Sequence, residues 1–274
     1  MWITYPQMIN KSTGKIKGIR PSWMLTGLSC PFRLRRGINP SMVISSILNV
    51  LFPPVCLSCG SWGTHLCHRC RERFPFVDRD GCLYCDKITR AGMTCARCLR
   101  PEGIDGLVSM VYYSPEVRNA VREVKYSLVS SGIRSLMRSL RPEIVAKTAP
   151  WWRFAPTPRL QPIPLHKDRL RTRGFNQAEL LARELRIVTG APYADPPLLV
   201  RRRPTFQQAR SADRRERARN LQGAFVVPRG VSLTGRAVVL VDDVITTGST
   251  VKEAARTLKR AGAHQVLVWC FARV

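Results

Sequence analysis

Acidic residues are what this chain is short of. Eighteen Asp and Glu stand against 45 Lys and Arg in 274 residues, a formal net charge of +27. Such an imbalance implies polyanionic partners such as nucleic acid, phosphorylated metabolites or ribosomal surfaces, and charge alone does not choose among them. Long apolar runs are missing too. None approaches the roughly 18 residues that cross a bilayer, so a membrane-spanning protein is excluded and a soluble, cytoplasmic one is expected. No signal peptide with a cleavage site is present, which argues against the oxidising compartment where ten cysteines would pair as disulfides. Internal repeats are absent apart from the cysteine pairs, so no solenoid is expected. Residues 1–41 hold seven Lys or Arg, no Asp or Glu and no regular periodicity, and cannot bury a core. They read as a basic extension, and a start codon assigned too far upstream, with synthesis beginning at Met42, accounts for them best.

What the chain does have is concentrated in two places. Residues 238–250 run from four apolar, mostly β-branched residues through Asp242 and Asp243 to Thr246, Thr247, Gly248, Ser249 and Thr250. The apolar run predicts a buried parallel strand over Val238–Val241, with the carboxyl pair at its carboxyl end, where open α/β sheets place ligands. Gly248 permits a tight turn, and Thr250 with Glu253 has the spacing of a capping box that opens a helix. Backbone amides and hydroxyls can then converge on one anion, with two carboxylates at the reach of sugar hydroxyls attached to it. That combination suits a ribose 5-phosphate. It resembles the signature of the type I phosphoribosyltransferases, which bind 5-phosphoribosyl 1-diphosphate. The resemblance implies that Asp242 and Asp243 hold the ribose 2- and 3-hydroxyls and that Thr246 to Thr250 cradle the 5-phosphate.

The second concentration is cysteine. Eight of ten fall in four Cys-x-x-Cys pairs: Cys56/Cys59, Cys67/Cys70, Cys82/Cys85 and Cys95/Cys98. Each pair can present half of a tetrahedral Zn²⁺ site, and a thioredoxin-type redox role lacks its βαβ context. The spacing suits two successive zinc ribbons, the first four cysteines in one and the last four in the other, with a cross-braced pairing as the alternative. Cys270 reads as core. Folding of this module is expected to depend on zinc.

Along the rest of the chain the pattern alternates strand and helix, which predicts a parallel α/β sheet. A short helix is expected over 42–52, strands over 107–113 and 160–164, and helices over 115–128, 133–146, 175–188 and 251–261. A loop is expected over 151–158 and a last strand over 265–272. The segment 162–177 reads as a strand end followed by a turn crowded with Lys167, Arg169, Arg171 and Arg173, suited to gripping diphosphate, with Asn176 and Glu179 capping the next helix. A further stretch, 201–220, holds eight Arg against two acids and reads as a mobile loop that folds over diphosphate or grips a nucleic-acid backbone.

The order of these features resembles the ComF family. It runs from the Cys pairs through Glu123–Tyr126, Pro162–His166 with Arg173–Gln177, Thr205–Gln208, Arg217–Asn220 and Ala224–Phe225 to the Asp-Asp run. The resemblance covers about 42–274 and departs locally at Arg201–Gln208, which is richer in Arg than the family pattern. It implies an α/β parallel-sheet phosphoribosyltransferase-like domain over 104–274, preceded by a small cysteine-rich zinc-ribbon module over 42–103. It also implies displacement of diphosphate from carbon 1 of phosphoribosyl diphosphate, with Mg²⁺ on the ligand and Lys167 and Arg173 beside the diphosphate. The acceptor, and with it any general base, is not encoded in these motifs. Three functional classes follow: a phosphoribosyltransferase, a single-stranded DNA-binding protein of the DNA-uptake machinery, and a sensor of phosphoribosyl diphosphate.

Overall fold

The computed structural model describes residues 53–126, 130–155, 157–203 and 220–274. The expected helix over 42–52 and most of the Arg-rich stretch lie outside them. Four strands, β1 (Gly106–Tyr112), β2 (Arg159–Pro162), β5 (Ala237–Ile245) and β6 (Gln265–Arg273), form one sheet in the order β1-β6-β5-β2, every neighbouring pair parallel. A two-stranded antiparallel ribbon, β3 (Val200–Arg201) with β4 (Phe225–Val226), stands apart. Among the described residues no helix is long and apolar enough to cross a membrane.

Strand alternation divides the core in two. Val239, Val241, Leu267, Trp269 and Phe271 face one layer, built from α2 (Pro115–Tyr126), α3 (Ser130–Ser139), α4 (Arg141–Thr148) and α7 (Gln177–Thr189). Val238, Leu240, Val266, Val268 and Cys270 face the other, where α8 (Ser249–Arg260) lies with β4. Cys270 is fully buried, as expected of a core thiol, and burial lifts its pKa well above the ordinary value, with the charge of Asp242 adding to the effect.

Two helical expectations change. The single helix over 133–146 is two, α3 and α4, because Pro142 sits at the start of the second and cannot donate into a continuing helix. The stretch 151–158 opens with a short helix, α5 (Trp151–Phe154), its Trp151 fully buried and donating from Nε1 to Ala91 O (2.8 Å).

The cysteine segment, with one short helix α1 (His68–Glu72), is built twice on one plan. Val55 bridges Trp62 and Gly81 bridges Ile88. Cys56 N donates to Ser61 O (2.7 Å) and Cys82 N to Lys87 O (2.9 Å), while Gly60 N returns to Cys56 O (2.8 Å) and Asp86 N to Cys82 O (2.9 Å). The fourth residue after the leading cysteine is left-handed in both copies, Gly60 at φ 75° and Asp86 at φ 55°. This segment covers the exposed edge of β1: Val77 N donates to Met110 O (3.0 Å) and Tyr112 N to Pro75 O (2.8 Å). The opposite edge, β2, is covered by the chain around Tyr193, through Leu160 N to Pro192 O (2.8 Å) and Ala194 N to Leu160 O (2.9 Å). Neither edge is left as a template for another strand. Asp80 ties the segment to the sheet: its Oδ1 accepts from Ser109 N (2.9 Å) and Oγ (3.0 Å), and its Oδ2 pairs with Lys147 Nζ at 2.7 Å.

Candidate functional site

A notch opens where β2 stops and β5 continues. The last link between them is Ile163 N to Val241 O (2.9 Å), because Pro162 and Pro164 have no N–H with which to extend the ladder. β5 runs on to Ile245, held on its other side by β6, with Asp242 opposite Cys270 and Val244 opposite Ala272. The connection leaving β2 reaches α7 on one face of the sheet, and the connection leaving β5 reaches α8 on the other. Between two such strands a crevice must form at their carboxyl ends, the usual ligand position in open α/β sheets.

Asp242 and Asp243 stand in this notch, inside the strand rather than after it as the sequence reading had them. Both are half-buried, and alternation sends them to opposite faces. Asp242 Oδ1 accepts from Asp243 N (2.9 Å) and Asp243 Oδ1 from Val244 N (2.7 Å), so each carboxylate is anchored by one oxygen. Asp243 lines a cavity of about 20 Å³ with Gln177, Leu181 and Phe271. Gln177 is buried there, and its Nε2 has no hydrogen-bond partner.

The turn that follows brings Thr246 to Thr250 together. Thr246 is exposed, Gly248 is buried, and Thr247 Oγ1 lies 2.8 Å from Ser249 Oγ. Gly248 is the N-cap residue of α8 in the left-handed conformation (φ 70°, ψ 7°) and offers no capping side chain. The first amide of α8, Ser249 N, donates instead to Thr247 Oγ1 (3.4 Å), so the hydroxyls of the turn gather at the positive end of the helix dipole. The expected capping box does not form. The helix starts at Ser249, ahead of Thr250, and Glu253 turns away to accept from Gly223 N (2.7 Å) and to pair with Arg256.

The crowded basic turn is a short helix, α6 (Lys167–Arg173), capped by His166 and closed by Gly174 at φ 77°. Helical spacing puts Arg169 and Arg173 on one side, both half-buried, and leaves Lys167 and Arg171 exposed. Burial holds the Arg169 guanidinium below its usual pKa, and the charge of Arg173 adds to that. Arg201, assigned from sequence to a mobile loop, is instead in β3. It packs over the Phe225 ring at 5.5 Å, and its pKa is lowered by burial and by Arg169 while Asp242 opposes the shift. Three arginines and an aspartate thus share one side of the notch. From sequence, Arg169 is named in the crowded turn while the diphosphate role goes to Lys167 and Arg173, and Arg201 is placed in the Arg-rich loop. Asn176 caps α7 by accepting from Ala178 N (3.1 Å) and fixes the β2 end by donating to Ile163 O (3.0 Å).

Away from the notch, the eight paired cysteines gather as two clusters, Cys56, Cys59, Cys67 and Cys70, and Cys82, Cys85, Cys95 and Cys98. The four sulfurs of each lie within 4.8 Å of one another. Successive pairing holds and the cross-braced alternative does not. Cys59 Sγ to Cys67 Sγ is 3.7 Å and Cys85 Sγ to Cys95 Sγ 3.6 Å. A tetrahedral ion with metal–sulfur bonds of about 2.3 Å spaces its sulfurs by roughly 3.8 Å, so the clusters fit zinc. Thiols this close titrate against one another. Ser61 draws Cys59 down to about 6, while burial pushes Cys70 up to about 12. In the second cluster burial raises Cys82, but the amides of Tyr84, Cys95 and Cys85 outweigh it and bring it to about 7. Cys95 pushes Cys98 up to about 12. Only a bound cation lets four thiolates coexist at these distances.

A double zinc ribbon domain matches residues 47–99, and a phosphoribosyl transferase domain matches residues 171–274. The DNA utilization protein YhgH of Escherichia coli K12 is 35% identical over 219 residues, which span 79% of this chain and 93% of that protein. The chain belongs to the ComF family. Another relative in that family, competence protein F of Haemophilus influenzae, is 29% identical over 214 residues, 76% of this chain and 90% of its own. A hypoxanthine phosphoribosyl transferase from Trypanosoma cruzi superposes with a TM-score of 0.33 at 13% identity, covering 53% of this chain and 75% of its own, too loosely to bear on the site. This ComF-family chain thus joins a double zinc ribbon to a parallel phosphoribosyltransferase-type sheet, and the β5 side of the notch, with the 246–250 turn and α8, lies within the matched transferase domain.

Proposed function

We propose that the chain binds 5-phosphoribosyl 1-diphosphate in the notch and transfers its phosphoribosyl group to a nitrogenous acceptor. The reading is carried by one observation: a left-handed Gly248 and the paired Thr247 and Ser249 hydroxyls open α8 directly after two carboxylates in a transferase-type sheet. In this reading Thr246, Thr247, Gly248, Ser249 and Thr250 receive the 5-phosphate. Asp242 and Asp243, held in place by the backbone amides that follow them, meet the ribose diol. Arg173, with Arg169 and Arg201, supplies positive charge where diphosphate departs, and Lys167 at the exposed start of α6 meets the same group from solvent. Mg²⁺ arriving with the diphosphate neutralises part of the leaving-group charge. As the bond from carbon 1 to diphosphate breaks, its electron pair leaves with the diphosphate, and the acceptor nitrogen bonds to carbon 1 and releases its proton to solvent. The domain division at 103/104 assigns binding of the sugar to the larger part and zinc to the smaller.

The test is incubation of the full chain with phosphoribosyl diphosphate, Mg²⁺ and a panel of bases and amines. Release of diphosphate with at least one acceptor is expected. Calorimetric binding without turnover would make the protein a sensor, and neither binding nor turnover would remove both readings.

A second reading, single-stranded DNA binding in DNA uptake, has its own observation. A groove of about 550 Å³ between the cysteine segment and α4–α5 is lined by Arg79, Arg90, Lys147 and Arg153 against Asp78 and Asp80, and relatives of the chain are named for DNA utilization and competence. Each phosphate neutralised contributes about −0.7 to the log–log salt slope of single-strand affinity. Arg153→Ala is expected to make that slope shallower by about 0.7. An unchanged slope, or a flat one in the parent protein, would exclude this groove.

A further inference from the structure

The second zinc ribbon touches the turn that the proposed function reads as the 5-phosphate cup. Leu83 and Tyr84 lie between the metal-ligand candidates Cys82 and Cys85, so coordination fixes their backbone at both ends. A Cβ built on Gly248 would lie 3.3 Å and 3.4 Å from the two methyl carbons of Leu83, which puts that leucine against the buried floor of the turn. The ring of Tyr84 carries Lys252 Nζ at 5.0 Å from its centroid, and the same Nζ donates to Thr247 O at 3.4 Å. The Tyr84 hydroxyl accepts from Ile104 N (3.0 Å), anchoring the ring to the start of the sheet.

The far end of α8 is gripped as well. Asp105 and Glu102, just past the last cysteine, pair with Lys259 at 2.8 Å and Arg260 at 2.9 Å. Ribbon two thus meets the start of the phosphate-side helix, and the chain leaving it, at Glu102 and Asp105, meets the far end. Ribbon one sits on the opposite face of the sheet, where Leu57 packs on Gly132 and Ser58 Oγ donates to Glu116 O (3.2 Å).

We propose that the second ribbon is part of the anion cup: Leu83 and Tyr84 are positioning residues for the 246–250 turn, and zinc at Cys82, Cys85, Cys95 and Cys98 is thermodynamically linked to sugar-phosphate binding. The inference rests on the reading of that turn as a phosphate site. Linkage is reciprocal, so a zinc that stiffens the turn is itself held harder once the turn is filled. The zinc of ribbon one has no such path.

The experiment is an equilibrium zinc-competition titration of the full chain with a chromogenic chelator, with and without saturating ribose 5-phosphate, alongside calorimetry of the sugar phosphate. In the wild type, one zinc of two is expected to become about five-fold harder to remove when the sugar phosphate is bound, the low end of ordinary coupling. Leu83→Ala, which leaves every zinc ligand in place, is expected to weaken ribose 5-phosphate by about the same factor and to abolish the protection. Leu57→Ala truncates the leucine at the matching position of ribbon one, which is more deeply buried, and is expected to leave both readouts unchanged. Equal release of both zincs with and without the sugar, or equal affinity in wild type and Leu83→Ala, overturns the linkage while leaving the phosphate site standing. Absence of any ribose 5-phosphate binding by the wild type overturns the site and the linkage together. The wild-type titration needs no variant, so misfolding of Leu83→Ala would not shield the proposal.

Discussion

Asp242 and Asp243 adjoin in sequence but answer to different surroundings. Asp242 faces the side that holds Arg201 and Cys270, and Asp243 faces the cavity that holds Gln177 and Phe271. Asn at either position keeps an oxygen that can accept the next backbone amide and replaces the other oxygen, with its charge, by an NH2 donor. Asp242→Asn and Asp243→Asn are therefore expected to fold with melting temperatures near the parent's and to weaken phosphoribosyl diphosphate tenfold or more, about 1.4 kcal/mol each, by calorimetry. Loss of the fold would instead make the acids structural. At this scale the sequence already displayed the acids, the hydroxyl-rich turn and every cysteine of both clusters, because their chemistry is local and contiguous. Arg201 was hidden among its seven arginine neighbours. What distinguishes it is the antiparallel pairing of Arg201 with Phe225, a contact across 24 residues that no local pattern announces.

Among elements, the turn entering α8 and the buried Asp80–Lys147 pair give the clearest expectations. Gly248→Ala must hold a Cβ in the left-handed region and against Leu83, and is expected to cost about 1–2 kcal/mol of stability together with sugar-phosphate affinity, read by denaturant unfolding and calorimetry. Lys147→Met strands the Asp80 carboxylate, only 5% exposed, and is expected to destabilise the chain by about 3–5 kcal/mol. Adding Asp80→Asn should restore part of that, and a strictly additive double variant would show that the pair does not couple. The four strands of the sheet and the cap at Asn176 were legible, since β-branched runs and cap residues act within a few positions. The break at Leu140 was also written in the sequence, in Pro142, and the continuous apolar pattern overrode it. Glu253 could not be read correctly, because its partner, Gly223 N, arrives from a distant segment.

For the whole molecule the two ribbons are more than an appendage. They cover the β1 edge, bury Leu57 and Phe74 in one core layer and pack Leu83 and Tyr84 against the other. The purified chain is expected to contain two zinc ions by metal analysis. Chelation or acidification, where protons compete for the thiolates, is expected to expose the β1 edge and drive aggregation measurable by light scattering. A chain that stays monodisperse without metal would show the ribbons to be independent of the sheet. Module order and the parallel α/β class were legible from spacing and alternation. The way residues 74–77 lie along β1 was not, since that segment has no periodicity and takes its conformation from the strand it meets.

The central claim concerns the notch, and crystals of the full chain soaked with phosphoribosyl diphosphate and Mg²⁺ test it most directly. The account predicts the 5-phosphate on the amides of residues 248–251, the ribose diol at Asp242 and Asp243, and the diphosphate toward Arg169, Arg173 and Arg201. A notch left empty at saturating ligand, or ligand bound elsewhere on the chain, would contradict it.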